Sequence, residues 1–344
     1  MTHAGRVAFR TGGGRRIGFG HVRRCLSLAL ALRDLGAQGL FLLDGDPEVC
    51  GLAAAEGFDT VRIRPEHDLE DTVRQCRDLT MGAIVADSYA FSTAYFHGLR
   101  EAACVVAVLD DLADRELPVN LVINGSAGAD QLRYHDAPQT KYLLGPQYIL
   151  LRPGFAKTPA RPIRDHVERV LITVGGSDPH GLTARLMQWT IETLGTVKQD
   201  VVVGPLFQHA DAIRAMAHAS EKTITLYENP ADMRVLMLSA DLTLCGGGQT
   251  TYELAATGTP AIAIQTAENQ TINLKGLSAA GSLDWAGDAN DADLESKVTR
   301  ELKALAGDAA RRAAMSRLGR TLVDGQGAAR VAGALLKLAE ASTS

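Results

Sequence analysis

An α/β protein of two domains, each a parallel sheet covered by helices on both faces, is predicted by three features of the sequence. Short uninterrupted apolar segments alternate with helical stretches in both halves of the chain, the pattern of strands buried on both sides. Glycine-rich turns follow several of those segments and open directly onto helices. Residues 152–164 separate the two series, and three prolines in those thirteen residues make a linker, not a helix. The expected division is residues 1–155 and 165–344, two Rossmann-like domains joined by 152–164.

In the first domain, strands are expected at 7–9, 40–43, 83–86, 105–109 and 121–123, with helices over 22–35, 47–56, 69–79 and 93–103. Between the first strand and helix runs Arg10-Thr-Gly-Gly-Gly-Arg-Arg-Ile-Gly-Phe-Gly20, and then His21. Val22, Cys25, Leu26, Ala29, Leu32 and Leu35 recur at intervals of three and four, so one face packs on the sheet and His21 stands at the loop mouth. The helix dipole disfavours an imidazolium there, which keeps the ring neutral and able to act as a base. A surface histidine capping the helix fits the same position.

The second domain repeats the scheme, with strands at 170–174, 201–203, 224–226, 242–244 and 261–264. After the first of these, Gly175, Gly176 and Ser177 offer N–H and hydroxyl donors to a pyrophosphate. Asp178-Pro179 then ends the turn and starts a helix over 182–194. After 242–244 comes CGGGQTTYELAATGTP: Gly246, Gly247 and Gly248 let a ligand approach bare backbone, and Gln249, Thr250 and Thr251 begin a helix whose free N–H groups attract anions. Glu253, in its first turn, cannot bind phosphate but can accept hydrogen bonds from a ribose hydroxyl pair. Taken alone, the stretch fits equally a glycine turn with a helix-favouring acid. After 261–264, Asn269 and Gln270 suit a sugar hydroxyl or phosphate, or cap the next helix. Three such loops at the carboxyl edge of one sheet point to a nucleotide.

Composition narrows the classes. At 344 residues, with 46% hydrophobic and 5% aromatic residues, the chain can bury two cores of Ala, Leu, Val and Ile. A formal charge of −5, without a long Lys/Arg run, argues against a nucleic-acid partner. The five cysteines, Cys25, Cys50, Cys76, Cys104 and Cys245, are widely spaced and lack a CxxC pair, so they imply neither disulfides nor zinc and fit a reduced cytoplasm. The N-terminal residues lack the apolar core of a signal peptide, and no run of eighteen apolar residues suggests a membrane span.

The segments RTGGGRRIGFGHVRRCLSLA, DSYAFSTAYF, VLDDLADR, YLLGPQYILLRPGF, VGGSDPHGLTARL and GGGQTTYELAATGTPAIAIQTAENQ together resemble the nucleotide-sugar hydrolases of the pseudaminic acid pathway and the related spore-coat polysaccharide proteins. These are similar to the MurG-type glycosyltransferases of the GT-B fold. The likeness runs in matching order from about Val7 to about Asn273. It implies removal of UDP from a 6-deoxy-diacetamido hexose by water. The histidine of the G-x-G-H loop falls on His21, after Gly20, where the resemblance implies that it activates or positions the water; Arg24 occupies the arginine of the same motif. The implied uridine site covers Gly247, Gly248, Gln249, Thr250 and Thr251, with Glu253 at the ribose and Asn269-Gln270 on the Asn-Gln pair. Asp87 and Tyr89 would line the sugar side. Arg10 is the first arginine of the family's RxDGG, and this chain carries Gly12 where that motif has its acid.

Hydrolysis of a nucleoside diphosphate sugar needs a seat for two phosphates, a base for water and a cleft that excludes solvent. The C-terminal domain is expected to hold the nucleotide and the N-terminal domain to bring His21. No cofactor or metal is expected; Asp110-Asp111 either makes an exception or, more simply, ends the 105–109 strand. A GT-B glycosyltransferase would place an acceptor hydroxyl where the hydrolase places water. A non-catalytic nucleotide-sugar binding protein would share the seat and turn nothing over.

Overall fold

The protein is described by a computed structural model covering residues 5–14, 18–102, 104–135, 137–220 and 223–343. It forms two units, Met1–Pro153 with Gly325–Ser344, and Gly154–Asp324.

In the first unit, β1 (Arg6–Gly13), β2 (Gln38–Gly45), β3 (Asp59–Arg62), β4 (Ala83–Asp87), β5 (Val105–Leu109), β6 (Leu121–Asn124) and β7 (Lys141–Leu144) form one sheet in the order β3-β2-β1-β4-β5-β6-β7. Every pairing is parallel. The helices are α1 (Gly20–Asp34), α2 (Pro47–Ala55), α3 (Asp68–Asp78) and α4 (Thr93–Leu99). Strand residues alternate between two apolar faces. Val7, Phe9, Phe41, Leu43, Ala83 and Val85 pack with Val22, Cys25, Leu26 and Ala29 of α1. Ala8, Leu40, Leu42, Ile84 and Ala86 pack with Val73 and Cys76 of α3 and Phe96 of α4. This double burial is why the strands read as unbroken apolar runs. The edge strands β3 and β7 are half-exposed, carry polar residues and escape that pattern. Leu35, expected on the buried face of α1, sits at its C-cap and is exposed.

The second unit holds β8 (Arg169–Thr173), β9 (Lys198–Val203), β10 (Ile224–Glu228), β11 (Leu242–Gly246), β12 (Ala261–Gln265) and β13 (Asp284–Asp288), ordered β10-β9-β8-β11-β12-β13 and all parallel. Its helices are α5 (Leu182–Leu194), α6 (Ala210–Ala219), α7 (Met233–Ser239), α8 (Thr250–Thr257), α9 (Thr271–Ala279), α10 (Leu294–Gly307) and α11 (Ala309–Leu322). The polar edge strand β13, sequence DWAGD, lacks the apolar run that marks the others.

Strand order reverses between β1 and β4 in one sheet and between β8 and β11 in the other. Loops leaving such neighbouring strands turn to opposite faces and open a crevice at their carboxyl ends. The predicted site residues after β1, β4, β8 and β11 therefore stand at the two switch points.

The expected domain limits need two corrections. The second unit ends at Asp324 rather than Ser344, because α12 (Gly327–Thr343) packs Ala328, Val331, Ala332, Leu335 and Ala339 into the core that holds α1. The stretch 152–164 is not a free linker either. Arg161 donates to Met237 O at 3.1 Å and Thr259 Oγ1 at 2.9 Å, and Arg164 pairs with Asp241 at 2.6 Å. Arg320 donates back to Pro159 O at 2.8 Å, so residues 158–164 are strapped to the second unit, while Arg152 pairs with Glu56 of the first and the chain passes between units at Pro153 and Asp324. Among the described residues no helix is long and apolar enough to cross a membrane.

Leu335→Ala tests the placement of α12. It should cost roughly 2–5 kcal/mol of stability in the first unit, as a truncation in a packed core does. Both tryptophans, Trp189 and Trp285, lie in the second unit, so urea unfolding followed by circular dichroism should show the loss while tryptophan fluorescence moves less. A loss confined to the tryptophan transition would place α12 with the second unit instead.

Candidate functional site

The alternation of β4 puts Ala83, Val85 and Asp87 on the face covered by α1. Asp87, at the strand end, is a fully buried carboxylate and must be paired there. Its partners come from one helical face, His21 and Arg24 being three residues apart. His21 Nδ1 lies 2.7 Å from Asp87 Oδ1. Arg24 donates from Nε to Oδ2 at 2.7 Å and from Nη2 to Oδ1 at 2.6 Å, a bidentate grip. Burial would raise the Asp87 carboxyl, but the charge and hydrogen bonds of Arg24 and the bond from His21 outweigh it and hold the group well below the usual carboxylate range. An ionised carboxylate only accepts, so His21 carries its proton on Nδ1 and a neutral ring keeps a lone pair on Nε2. Cys25, one turn further, points its thiol at the same carboxylate at 3.6 Å; burial, then the Asp87 charge, push that thiol well above its ordinary value and leave it no nucleophile.

Arg24 also reaches Asp111, just beyond β5, through Nη1 at 2.9 and 2.7 Å. The Tyr89 hydroxyl donates to Asp111 Oδ2 at 2.7 Å, and the Tyr89 ring meets His21 edge-on with centroids 4.7 Å apart. Asp87, Tyr89, His21 and Arg24, all expected at the site, are thus brought together. Asp111 joins them, whereas the sequence most simply places both acids of its pair at the end of a strand. That simpler role belongs to Asp110, whose Oδ2 accepts from Ala113 N at 2.8 Å, Leu112 N at 3.2 Å and Tyr134 Oη at 2.8 Å. Gly20 opens α1, and a side chain there would meet nothing within 4 Å. Gly14 and Gly18 pinch the first loop by two mutual backbone bonds of 3.0 and 2.7 Å. Arg15, Arg16 and Ile17 of that loop lie outside the described residues.

Arg10, expected at the substrate, is instead bound within the fold. It projects to the opposite face of the sheet and is fully buried. Its Nε bonds Asp68 Oδ1 at 2.8 Å, its Nη2 pairs with Asp68 Oδ2, and its Nη1 reaches Asp44 at 3.1 Å and Thr11 O at 2.8 Å. The ring of Phe91 lies 5.2 Å beneath it. These partners occupy the guanidinium within the fold. The register also accounts for Gly12, which pairs with Asp44 across β1 and β2: a Cβ on Gly12 would fall 1.9 Å from Asp44 Oδ1. A carboxylate from the neighbouring strand fills the space a side chain at position 12 would take.

In the second unit the loops after β8 and β11 touch through bare backbone. A Cβ on Gly246 would be 2.8 Å from Val174 O, and one on Gly204, after β9, 2.5 Å from Gly176 O. Gly176 and Ser177 are exposed. Asp178 is buried and accepts from Leu182 N at 2.7 Å and Thr183 N at 2.8 Å, so a carboxylate already caps α5 as expected. An anion seated on a helix start here would belong to α8.

There the turn is held from inside. Thr251 Oγ1 bonds Gly248 O at 2.8 Å, and Asn273 of α9 donates to Gly247 O at 2.9 Å and Thr251 Oγ1 at 3.2 Å. Gln249, Thr250 and Glu253 are half-buried on this turn. Gln270 folds onto its own loop, accepting from Thr266 N at 2.8 Å, and its Oε1 lies 2.8 Å from where a Gly247 side chain would begin. Asn269 is exposed beside it. Asn273 was not singled out in the sequence, since only the fold shows that its amide fastens the turn. Among the described residues no group of three His, Cys, Asp or Glu side chains could hold a metal.

The chain matches no protein-family model. It is 24% identical over 336 residues to the spore coat polysaccharide biosynthesis protein SpsG of Bacillus subtilis, covering 95% of this chain and 97% of that protein. It is 26% identical over 276 residues to an uncharacterized protein of Methanocaldococcus jannaschii, and 24% identical over 270 residues to a Helicobacter pylori protein named as pseudaminic acid cytidylyltransferase and UDP-2,4-diacetamido-2,4,6-trideoxy-beta-L-altropyranose hydrolase. Each match covers 77% of this chain, which spans about half the length of those two relatives, 56% and 45%. Among solved structures, Acinetobacter baumannii MurG superposes with a TM-score of 0.68 at 16% identity, over 96% of this chain and 99% of that one. Anabaena HepE in complex with UDP gives 0.65 at 14% identity, over 97% and 100%. The fold is GT-B.

Arg10→Met should destabilise the protein by roughly 3 kcal/mol, the lower end for breaking a buried ion pair because Asp44 and Asp68 keep some contact with water. Chemical denaturation measures this. Unchanged stability with lost substrate affinity would return Arg10 to the ligand.

Proposed function

We propose that this chain, related to the spore-coat polysaccharide and pseudaminic acid proteins and built on the MurG-like GT-B fold, hydrolyses a UDP-linked amino or deoxy sugar to the nucleotide and the free sugar, in the making of a surface glycan or a sialic-acid-like sugar. The observation that carries this reading is the Asp87–His21 pair. A buried, ionised carboxylate holds the imidazole through Nδ1, and Nε2 is left to take a proton from water. Arg24 keeps Asp87 charged. Tyr89, which is exposed, marks the sugar side of the reaction in this reading, whereas Asp87, expected to line that side, is buried behind His21 and Arg24 and acts on the substrate only through them.

The second unit would hold the nucleotide. Support comes from the backbone at Gly247 and Gly248, the start of α8 at Thr250, and the exposed Gly176 and Ser177, which together suit the oxygens of a diphosphate. Glu253 would accept from the ribose hydroxyls, and Asn269 with Gln270 would border the phosphates. The name of the Helicobacter pylori relative supports the substrate class, and the HepE structure supports UDP.

Incubation with a panel of UDP-sugars, with products followed by mass, tests the reaction itself. Free sugar should appear without any acceptor. Slow release that an added acceptor alcohol accelerates would mean sugar transfer instead.

His21→Asn should lower turnover by about 10² to 10⁴, the scale of a positioned base, while UDP binding measured by calorimetry stays nearly constant. Near-full activity in that variant would remove His21 from the chemistry. Glu253→Ala should weaken UDP binding and change the affinity for 2′,3′-dideoxy-UDP much less, because the second ligand has no hydroxyls to offer the carboxylate. Equal losses would make Glu253 a support for α8 alone.

A further inference from the structure

Arg24 is a bridge between two carboxylates. Its Nε and Nη2 edge meets Asp87, and its Nη1 meets both oxygens of Asp111. Asp111 is held from a second side by the Tyr89 hydroxyl, and the Tyr89 ring lies against His21. Two paths therefore connect Asp111 to the imidazole, one through Arg24 and Asp87, the other through Tyr89. The backbone of the turn after β5 does not account for this, because Asp110 accepts its N–H groups.

Charge adds a reason for the arrangement. Among the described residues at this locus, Asp87 and Asp111 face a single guanidinium and one imidazole. With His21 neutral, the set carries one surplus negative charge. When Nε2 takes the proton of the attacking water, the imidazolium cancels it. With Asp111 neutralised, the imidazolium formed in the same step would lose that offset in a poorly hydrated place. Such compensation acts where charge develops, so it favours the transition state over the bound substrate.

We propose that Asp111 is a positioning residue for His21, fixing the Arg24–Asp87 grip and the Tyr89 ring and offsetting the charge that His21 acquires. The proposal rests on the reading of His21 as the base for water. It predicts a loss in kcat rather than in KM, and a loss that exists only while His21 is present.

The test is a double-mutant cycle of wild type, His21→Asn, Asp111→Asn and the double variant. Each is assayed for release of free sugar from the UDP-sugar that wild type turns over, for UDP affinity by calorimetry and for its urea midpoint. Asp111→Asn should lower kcat by roughly 10- to 100-fold, the scale of a hydrogen bond to a charged group, with KM and UDP affinity held. In the His21→Asn background it should cost nothing further, since the residue acts through the imidazole. An equal fold-loss in both backgrounds would overturn the proposal, because a general structural role does not depend on His21. Full turnover by His21→Asn alone would overturn the base assignment and this proposal with it. Should Asp111→Asn fail to fold, Tyr89→Phe, which removes only the hydroxyl donated to Asp111, replaces it in the same cycle. Its smaller loss in kcat should likewise vanish without His21, and persistence of that loss would count against the proposal.

Discussion

A carboxylate with no access to water at the end of a central strand governs the arrangement of the first unit. Asp87 is placed there by β4, between β1 and β5, and its charge is tolerable only if cations and donors are brought to it. The first turns of α1 supply them. Because α1 is bound to the sheet by Val22, Cys25, Leu26 and Ala29, the positions of His21 and Arg24 on it are set by core packing rather than by a loop. The imidazole is consequently held on one side by Asp87 and bordered on another by Tyr89. A base oriented this way loses little freedom when it meets its substrate.

The opposite face of the same sheet solves a similar problem with a different outcome. Arg10 is buried among Asp68, Asp44 and Thr11, and Asp44 takes the space beside Gly12. Two arginines of one sequence neighbourhood thus diverge. Arg24 stands at the mouth of the first loop, while Arg10 stitches β1 to β2 and to the start of α3. The period of two along β1 decides which side a residue takes, and the glycine loop after it decides how far α1 is offset.

The second unit relies on absence of side chains. Gly204 and Gly246 each lie where a Cβ would strike the backbone after β8, so the loops after β8, β9 and β11 can close on one another, and a Cβ on Gly247 would strike Leu274 and Gln270. Asn273 then fastens the turn that precedes α8. Asp178 takes the first N–H groups of α5 for itself, which separates a helix start that is already satisfied from the one at α8.

Much of this could be read from the chain alone. Long apolar runs such as 105–109 and the three-and-four spacing of α1 identified buried strands and their helices, because double-sided burial demands apolar residues without interruption. Glycines followed by helix starts identify three loops at the two switch points, those after β1, β8 and β11, and the motifs single out His21, Arg24, Asp87 and Tyr89. The half-exposed strands β3, β7 and β13 were missed because edges need no apolar run. What only the tertiary structure decided was partnership: that α12 completes the first unit's core, that residues 158–164 are strapped to the second unit, that Arg10 turns inward, and that Asp111 joins Arg24. Local sequence sets the period and the caps, which are near-neighbour effects. Which distant groups meet depends on how sheet, helix and loop pack, and burial forces each buried charge to find its partner there.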